Sequence, residues 1–190
     1  LDKAASEFKD VEVLARVVDV AKADQMQALA DAVQQRFGAP HFVFNNAGVG
    51  SGGLIWENSL ADWEWVMGVN VWGVIHGVRL FTPMMLEAAK KDPSWQGHIV
   101  NTASFAGLYP FASSRIHYAA SKAGMVAMTK SIARGYASEG VLAFAICPGF
   151  TMTGMAEDYL ASRGGDKLLA DIPLGRVAEP DEVARAAAWL

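Results

Sequence analysis

Two spacings of apolar residues alternate along this chain, one typical of strands and the other of helices. Short runs rich in β-branched and aromatic residues predict strands at residues 11–20, 41–44, 98–102 and 142–147. Apolar residues at intervals of three and four predict helices near residues 1–8, 24–37, 60–90, 117–138 and 180–190. Pro83 lies inside the longest of these helices and is expected to bend or break it.

This alternation predicts a single α/β domain over residues 1–190, built on a doubly wound parallel sheet with helices on both faces. No internal repeat, low-complexity segment or linker divides the sequence. A sheet of this kind ordinarily starts with a strand, whereas here a helix comes first and an alanine-rich helix comes last. We therefore expect the complete fold to include an earlier strand–helix–strand unit of about thirty residues and a final strand.

Composition and charge exclude several classes of function. The net charge is −4 and no basic run is present, so we expect neither nucleic acid nor a membrane surface as partner. Asn70, His76 and Arg79 interrupt the most apolar stretch, residues 65–81, whereas a spanning helix needs ~20 nearly uninterrupted apolar residues. Neither the four histidines nor Cys147 shows metal-ligand spacing. A lone cysteine and a start without a signal-peptide pattern predict a cytoplasmic protein without disulfides.

The strongest chemical signal is a tyrosine and a lysine four residues apart, Tyr118 and Lys122. On a helix this spacing puts both side chains on one face, one turn apart. A phenol is a weak base near neutral pH, and a neighbouring ammonium favours its phenolate form. Ser104 follows a predicted strand, and its hydroxyl can donate a hydrogen bond to a carbonyl oxygen. Taken alone, the Tyr-x-x-x-Lys spacing is common and is better explained by a surface lysine beside a half-buried tyrosine.

Three weaker signals accompany this pair. Residues 45–48 (Asn-Asn-Ala-Gly) follow a strand at the end where open α/β sheets bind ligands, and an asparagine there can hold neighbouring strands together. Asn70 places an amide on an otherwise apolar helix, where we expect it to cap a local backbone group. A third segment lies just beyond a strand and contains Pro148, Gly149, Thr151 and Thr153. The first and third segments, taken singly, are also compatible with ordinary turns.

In this order, the motifs resemble those of the short-chain dehydrogenase/reductase family in its compact form. The similarity covers essentially the whole chain: Asp19 matches a strand-end aspartate, residues 45–48 the Asn-Asn-Ala-Gly motif, and Asn70 the helix asparagine. The catalytic residues are matched by Ser104, Tyr118 and Lys122. The family's Thr-Gly-x-x-x-Gly-x-Gly turn has no counterpart in this sequence. The resemblance implies a Rossmann-like fold and NAD(P)-dependent hydride transfer between the nicotinamide and a ketone or secondary alcohol.

The resemblance also implies a role for each site residue. Tyr118 would be the general acid/base, Lys122 would favour its ionised form and hold the nicotinamide ribose, and Ser104 would position the substrate oxygen. Asn70 would hold a water that connects the lysine to solvent. Asp19 and Val20 would lie near the adenine. The remaining cofactor-lining residues would be Asn46, Ala47, Gly48, Tyr118, Lys122, Pro148, Gly149, Thr151 and Thr153.

The choice between NAD and NADP is not predicted, because it depends on the absent glycine turn and on the end of the second strand. That turn and the helix after it are the main anchor of the dinucleotide pyrophosphate. Residues 1–190 by themselves are therefore expected to be an unstable and inactive fragment.

Substrate and assembly are indicated less directly. Apolar residues after Ser104 and after Gly149 predict an apolar pocket for a bulky ketone or secondary alcohol, although a purely structural role explains them equally well. They are Phe105, Leu108, Tyr109, Phe111, Met152, Met155 and Tyr159. The helix with Trp65 and Trp72 and the helix with Met125 and Val126 are apolar on several faces, which predicts a homodimer or homotetramer.

Two other interpretations stay open at this point. One is an epimerase/dehydratase relative that shares the Tyr-x-x-x-Lys pair, against which the Asn-Asn-Ala-Gly motif argues. The other is a catalytically silent NAD(P)-binding sensor or scaffold of the same fold, against which the intact catalytic set argues. His117 adjoins the tyrosine and is expected to start a helix rather than to participate.

Overall fold

A three-stranded parallel sheet forms the centre of the computed structural model, which describes residues 2–109, 113–161 and 165–190. The strands are β1 (Phe42–Asn45), β2 (Gly97–Thr102) and β3 (Val141–Ile146), in the order β1-β2-β3. Since neighbouring strands run in the same direction, their carboxyl ends meet at one edge of the sheet. The prediction of a parallel sheet is confirmed, and three of the predicted strands are present.

Helices connect and follow these strands. They are α1 (Asp2–Ser6), α2 (Ala23–Phe37), α3 (Leu60–Met67), α4 (Gly73–Lys91), α5 (Ile116–Tyr136), α6 (Gly154–Leu160), α7 (Gly165–Asp171) and α8 (Pro180–Trp189). A π-helical turn, Gly68–Trp72, joins α3 to α4, so the helical backbone runs without a break from residue 60 to residue 91. None of the helices in the described ranges is long and apolar enough to cross a lipid bilayer.

The sequence predicts that Pro83 bends or breaks the longest helix. Pro83 does not break it, because α4 continues through this residue. A proline inside a helix removes one backbone hydrogen bond and crowds the preceding turn. Here it lies on the exposed side of α4, between Phe81 and Met85, which are 7% and 0% exposed. Packing of these two side chains holds the helix together on both sides of the proline.

Residues 11–20 do not form the predicted strand. A strand requires a neighbour that accepts and donates backbone hydrogen bonds, and none of the residues described here pairs with this segment. Val17 is 90% exposed, whereas Val20 packs against Gly73 at the start of α4. The β-branched composition is therefore not sufficient for a strand, because it cannot supply the neighbouring strand.

The core lies between the sheet and the helices α2, α4 and α5. Its main buried cluster consists of Ala30, Val43, Phe81, Met85, Ile99, Ile132 and Val141. A second cluster joins Val74 of α4 to Met125 and Val126 of α5. Full burial of a side chain of this size contributes roughly 1.5–3 kcal/mol relative to exposure. These contacts fix α4 and α5 against the sheet, and with them the edge at which the strands end.

The segment after β3 is tied to the segment before α8. Thr151 and Ala178 form a parallel bridge, in which Met152 donates to the Ala178 carbonyl at 2.8 Å. The helix α8 begins with Pro180 at its first position, as predicted, and Glu182 completes a capping box. The bridge brings α8 to the carboxyl edge of the sheet.

Candidate active site

A cavity of about 590 Å³ opens at the carboxyl edge of the sheet, where the segments that follow the three strands meet. Most of the predicted site residues line it together: Asn46, Gly48, Ser104, Tyr118, Lys122, Pro148, Gly149, Thr151 and Thr153. Val20 and Ala47 border a second cavity of about 300 Å³, which shares Asn46 with the first. Asp19 lies apart from both linings; its carboxylate accepts the Ala21 N–H at 2.9 Å.

Tyr118 and Lys122 lie in the first two turns of α5. The Nζ atom of Lys122 is 5.7 Å from the centre of the Tyr118 ring and donates a 2.6 Å hydrogen bond to the carbonyl oxygen of Thr102, the last residue of β2. Lys122 is 3% exposed, and this burial lowers its pKa to about 8, while a charge on Cys147 would act in the opposite direction. The lysine charge is therefore held at a strand end, close to the tyrosine.

Asn70 lies in the π-helical turn and is fully buried. Its amide group makes two hydrogen bonds to Val49: Oδ1 accepts from the backbone N–H at 2.8 Å, and Nδ2 donates to the carbonyl at 2.9 Å. Nδ2 also donates to Ser121 Oγ at 3.0 Å, and Ser121 donates to the Tyr118 carbonyl at 2.7 Å. The expected local cap is therefore wrong, because the π turn directs the amide to the loop after β1 and to α5.

The first asparagine of the Asn-Asn-Ala-Gly motif connects two strands, as the sequence predicts. Asn45 Nδ2 donates to Asn101 Oδ1 at 2.8 Å, and Asn101 Nδ2 donates to Thr129 Oγ1 of α5 at 2.9 Å. Thr102 Oγ1 donates to Asn46 Oδ1 at 3.0 Å. These bonds fix the ends of β1 and β2 relative to each other and to α5, and two of the bonded residues, Asn46 and Thr102, line the cavity.

Ser104 precedes a short 3-10 turn, Phe105–Gly107, that follows β2. Its Oγ accepts the Ala106 N–H at 3.2 Å, which leaves the hydroxyl proton for donation towards the cavity. A Cβ atom at Gly107 would lie 2.7 Å from the carbonyl carbon of Lys122. The glycine therefore allows the turn to contact α5 directly, which brings the serine beside the helix that carries the tyrosine.

His117 lies in the first turn of α5, within one residue of the expected helix start, and it is fully buried. Its Nε2 is 2.6 Å from Ser51 Oγ, and its ring is 5.5 Å from the Trp63 ring. Burial lowers the pKa of His117, the Arg115 charge adds to this effect, and the Asp62 charge opposes it. The neutral imidazole thus joins the loop after β1 to the residue next to Tyr118.

Comparisons with known proteins agree with this geometry. A sequence profile described as enoyl-(acyl carrier protein) reductase matches residues 1–190. The 3-oxoacyl-(acyl-carrier-protein) reductase of Thermotoga maritima is 34% identical over 174 residues, which are 92% of this chain and 68% of that protein. The chain belongs to the short-chain dehydrogenase/reductase family.

Solved structures of short-chain dehydrogenases/reductases share the fold. The 3-ketoacyl-(acyl-carrier-protein) reductase from Brucella melitensis, complexed with NADH, superposes with a TM-score of 0.88 at 28% identity, over 100% of this chain and 74% of that one. A gluconate 5-dehydrogenase from Burkholderia cenocepacia, in complex with NADP and tartrate, superposes with a TM-score of 0.83 at 27% identity, over 92% of this chain and 66% of that one. The family, the Rossmann-like fold and the NAD(P)-dependent oxidoreductase class are confirmed, whereas the role of each residue stays a prediction.

The residues of the cavity fit the nicotinamide nucleotide that a short-chain dehydrogenase/reductase uses. A Cβ atom at Gly48 would lie 3.2 Å from Lys122 Nζ and 3.6 Å from Asn70 Oδ1, so a side chain would crowd the lysine. Glycine keeps this wall open for a ligand to approach the backbone. No group of three His, Cys, Asp or Glu suited to a metal ion occurs within the described ranges.

Three residues that shape the site were not predicted: Ser121, which links Asn70 to α5; Arg115, which lines the cavity; and His117 as a buried group. Helical spacing could have indicated two of them, because His117 and Ser121 are four residues apart and share one face of α5. Arg115 lies in the turn before α5, so helical spacing gives no signal for it.

The predicted substrate-pocket residues divide into three groups. Phe105 lines the cavity. Leu108, Tyr109 and Met152 are not part of its described lining, and the first two are 48% and 66% exposed. Phe111 lies outside the described residues, as do the side chains of Met155 and Tyr159.

Proposed function

We propose that this chain interconverts a ketone and a secondary alcohol with NAD(P), using Tyr118, Lys122, Ser104 and Asn70. The observation that carries this proposal is the buried lysine. Its Nζ is held at the end of β2, 5.7 Å from the ring of a tyrosine that borders a cavity of about 590 Å³.

Tyr118 is the proton donor in reduction and the proton acceptor in oxidation. A buried cation nearby favours the phenolate, because the attraction between the two charges is weakly screened inside the protein. Ser104 donates a hydrogen bond to the substrate oxygen, on which negative charge develops during reduction. Together the two hydroxyls orient the carbonyl group.

Asn70 is a positioning residue in this mechanism. It does not line the main cavity, but its amide binds both backbone groups of Val49 and the hydroxyl of Ser121. Ser121 in turn donates to the Tyr118 carbonyl. These bonds keep the loop after β1 at a fixed distance from the first turn of α5.

The nicotinamide cofactor, when bound, supplies or accepts the hydride. Lys122, Gly48, Pro148 and Gly149 are the residues proposed to hold its nicotinamide and ribose, with Thr151 and Thr153 beside them. Asn46 and Ala47 continue this wall into the second cavity, and Asp19 and Val20 are proposed to contact the adenine. The relatives described above are complexed with NADH and with NADP, so both nucleotides are candidates.

A homodimer or homotetramer is proposed as the assembly. Trp65 and Trp72 lie seven residues apart on the α3–α4 helix and are 50% and 54% exposed, and Leu60 is 81% exposed. Large exposed apolar side chains on one helical segment favour burial by another subunit. Met125 and Val126 do not add to this face, because both are buried in the chain's own core.

A cytoplasmic location is also proposed. It is supported by the lone thiol, Cys147, which is unpaired and partly buried, as is common where thiols stay reduced.

The test of this function is a pair of tyrosine variants on the same helix. Tyr118→Phe removes the proton donor and should lower kcat for reduction of an aliphatic ketone by a factor of ~100 or more. Tyr136→Phe, at the exposed end of α5, is the matched control and should leave kcat unchanged. Oxidation of NADH and of NADPH, followed by absorbance, measures both. Unchanged turnover in Tyr118→Phe would contradict the role proposed for Tyr118, whereas the absence of turnover in the wild-type protein would support the sensor interpretation.

A further inference from the structure

The loop that follows β1 packs against the ring of Tyr118. A Cβ atom at Gly50 would lie 3.2 Å from Cδ2 and 3.7 Å from Cε2 of that ring, so the loop backbone lies directly against one side of it. In close packing, a displacement of this backbone changes the space that the ring can occupy, and with it the position of the hydroxyl at the far end of the ring. The residues that hold the loop therefore affect the geometry of the proposed reaction.

Side chains anchor this loop on both sides of Gly50. Asn70 binds both backbone groups of Val49, at 2.8 and 2.9 Å. His117 binds the loop on the other side, where its Nε2 lies 2.6 Å from Ser51 Oγ. The first anchor comes from the π-helical turn before α4, and the second comes from α5, next to the tyrosine itself. The family resemblance gives a role to Asn70 and none to His117.

The protein encloses the side chain of His117. It is 0% exposed, and its ring packs on that of Trp63 with the centroids 5.5 Å apart. Nδ1 is buried and has no hydrogen-bond partner among the residues that the structure describes, so within this part of the chain the polar contact of the ring is the one between Nε2 and Ser51. Leaving the second ring nitrogen unpaired as well would be unfavourable, so the fold favours keeping this bond.

Ser51 extends this anchor into the rest of the loop. Its hydroxyl lies 3.4 Å from Asn58 Oδ1, and Asn58 Nδ2 donates to the carbonyls of Gly53 and Leu54 at 2.8 and 2.9 Å. A neutral imidazole with its proton on Nε2 donates to Ser51 Oγ, which leaves the serine proton for Asn58, so both bonds can form at the same time. A continuous series of hydrogen bonds thus joins the loop to α5.

We propose that His117 is a positioning residue for Tyr118 and acts through Ser51 and Gly50. The hydrogen bond between the imidazole and Ser51 keeps the loop backbone against the tyrosine ring, and so keeps the phenol hydroxyl within proton-transfer distance of the substrate oxygen. A displacement of about 1 Å can lower turnover by ~100-fold. This inference rests on the proposed function, because it takes Tyr118 to be the proton donor.

The test combines substitutions at both ends of this hydrogen bond. His117→Phe keeps an aromatic ring beside Trp63, and Ser51→Ala removes only the hydroxyl. Each should lower kcat for reduction of an aliphatic ketone ~10-fold and leave KM for the ketone and for NADH or NADPH within about 2-fold. The double variant should lose no more than either single variant, because both substitutions remove the same bond.

Rescue by a conservative substitution separates the hydrogen bond from the bulk of the side chain. His117→Gln places an amide N–H near the position of Nε2, so it should restore most of kcat in the protein that retains Ser51. In the Ser51→Ala background the same glutamine should restore nothing. Ser131→Ala, an exposed serine of α5 whose hydroxyl donates to the carbonyl of Ala127 in its own helix, is the matched control and should change neither kcat nor KM.

A second readout does not depend on turnover. In protein labelled with a fluorinated tyrosine, the fluorine NMR signal of Tyr118 is the one that disappears in Tyr118→Phe. This signal should shift in Ser51→Ala, because the loop no longer holds the ring, and should stay unchanged in Ser131→Ala. Since Ser51 is a half-buried loop residue, this measurement does not rely on the folding of a variant at the buried His117.

The possible outcomes separate this inference from the proposed function. A loss in Ser51→Ala that consists of a higher KM for the ketone at unchanged kcat would overturn the inference in favour of a substrate contact. Additive losses in the double variant would overturn it as well, because His117 and Ser51 would then act separately. No turnover by the wild-type protein would refute the proposed function, whereas an unchanged Tyr118 signal in Ser51→Ala would refute the positioning role itself.

Discussion

At the scale of single residues, Lys122 places a positive charge where water is largely excluded. Burial lowers its pKa from 10.5 to about 8, so the folded chain binds this proton less tightly than the unfolded chain does. At ~1.4 kcal/mol per pKa unit, the charged form is destabilised by on the order of 3 kcal/mol. Between pH 8 and 10.5 the unfolded chain binds more protons, so the free energy of unfolding rises with pH there, and the full penalty applies below that window.

Replacing this lysine by methionine should abolish turnover, because the charge proposed to favour the Tyr118 phenolate is lost. It should not lower the free energy of unfolding near neutral pH, because the penalty for burying that charge is removed as well. We expect the free energy of unfolding of Lys122→Met, measured by urea denaturation without cofactor, to be unchanged or higher by about 1–2 kcal/mol. The hydrogen bond to the Thr102 carbonyl, worth ~1 kcal/mol, offsets only part of the relieved penalty. The stability of Lys122→Met relative to wild type should fall as the pH rises above the pKa of the lysine, because the wild-type lysine is then neutral in the folded chain.

The control for this substitution is Lys130→Met, at an exposed position of the same helix. It should keep both turnover and stability. A loss of several kcal/mol in Lys122→Met near neutral pH would show that the lysine stabilises the fold, against the burial argument.

Single residues also mark the limit of prediction from sequence. The order of the motifs and the family resemblance, rather than spacing alone, led us to expect Ser104, Tyr118 and Lys122 in one place, and they border one cavity. The partners of Asn70 were not predictable, because Val49 lies 21 residues away and Ser121 51 residues away. A side-chain amide specifies how many hydrogen bonds it can make, whereas tertiary packing decides with which groups.

At the scale of elements, the close contact between α4 and β1 depends on one glycine. A Cβ atom at Gly77 would lie 2.2 Å from Asn45 Oδ1. Gly77→Ala should therefore displace the Asn45 amide from Asn101 and lower the free energy of unfolding by ~1–3 kcal/mol, as overpacking of a well-packed interior does. Thermal and urea unfolding measure the change.

Gly135→Ala is the matched control, because nothing lies within 4 Å of a Cβ atom there. It should be neutral or stabilising by up to about 1 kcal/mol, since alanine is the better helix former. If the two variants were equally stable, the contact between α4 and β1 would be looser than the structure indicates.

Sequence patterns predicted some strands and helices better than others. The runs at 41–44, 98–102 and 142–147 each form a strand within about one residue of the predicted bounds, because parallel strands buried on a sheet are continuously apolar. Residues 11–20 have the same composition and no partner among the described residues, so they stay unpaired. The π turn was not predicted, since a single widened turn leaves the apolar spacing on either side intact.

At the scale of the whole molecule, the exposed face of the α3–α4 helix predicts self-association. Replacing both Trp65 and Trp72 by glutamate should shift the mass measured by light scattering from a dimer or tetramer to a monomer, because charges do not tolerate burial in an apolar interface. Trp189→Glu, at a position that is 86% exposed outside this face, is the control and should not change the mass. A monomeric wild-type protein would contradict the proposed assembly.

The sheet as a whole was predictable, whereas the shape of the cavity was not. Alternating helices and strands imply parallel strands whose carboxyl ends meet, and this placed the motifs at one edge. The bridge between Thr151 and Ala178, which brings α8 to the cavity, joins segments that carry no pattern of their own. Arg115 likewise became a lining residue only through the turn that precedes α5.

The hydrogen bonds that run from the Asn45 amide through the Asn101 amide to the Thr129 hydroxyl affect the register in which β1 and β2 pair. Asn45 and Asn101 are directly paired across β1 and β2, in the same layer as the apolar core. If β1 slipped by one residue, its side chains would exchange faces, and Asn101 would be buried without its partner. Strands with only apolar side chains could pair in several registers of similar stability. A buried amide keeps its hydrogen-bond partner in only one of them. This polar line makes mispaired sheets less stable than the native sheet, which is a contribution to uniqueness rather than to total stability.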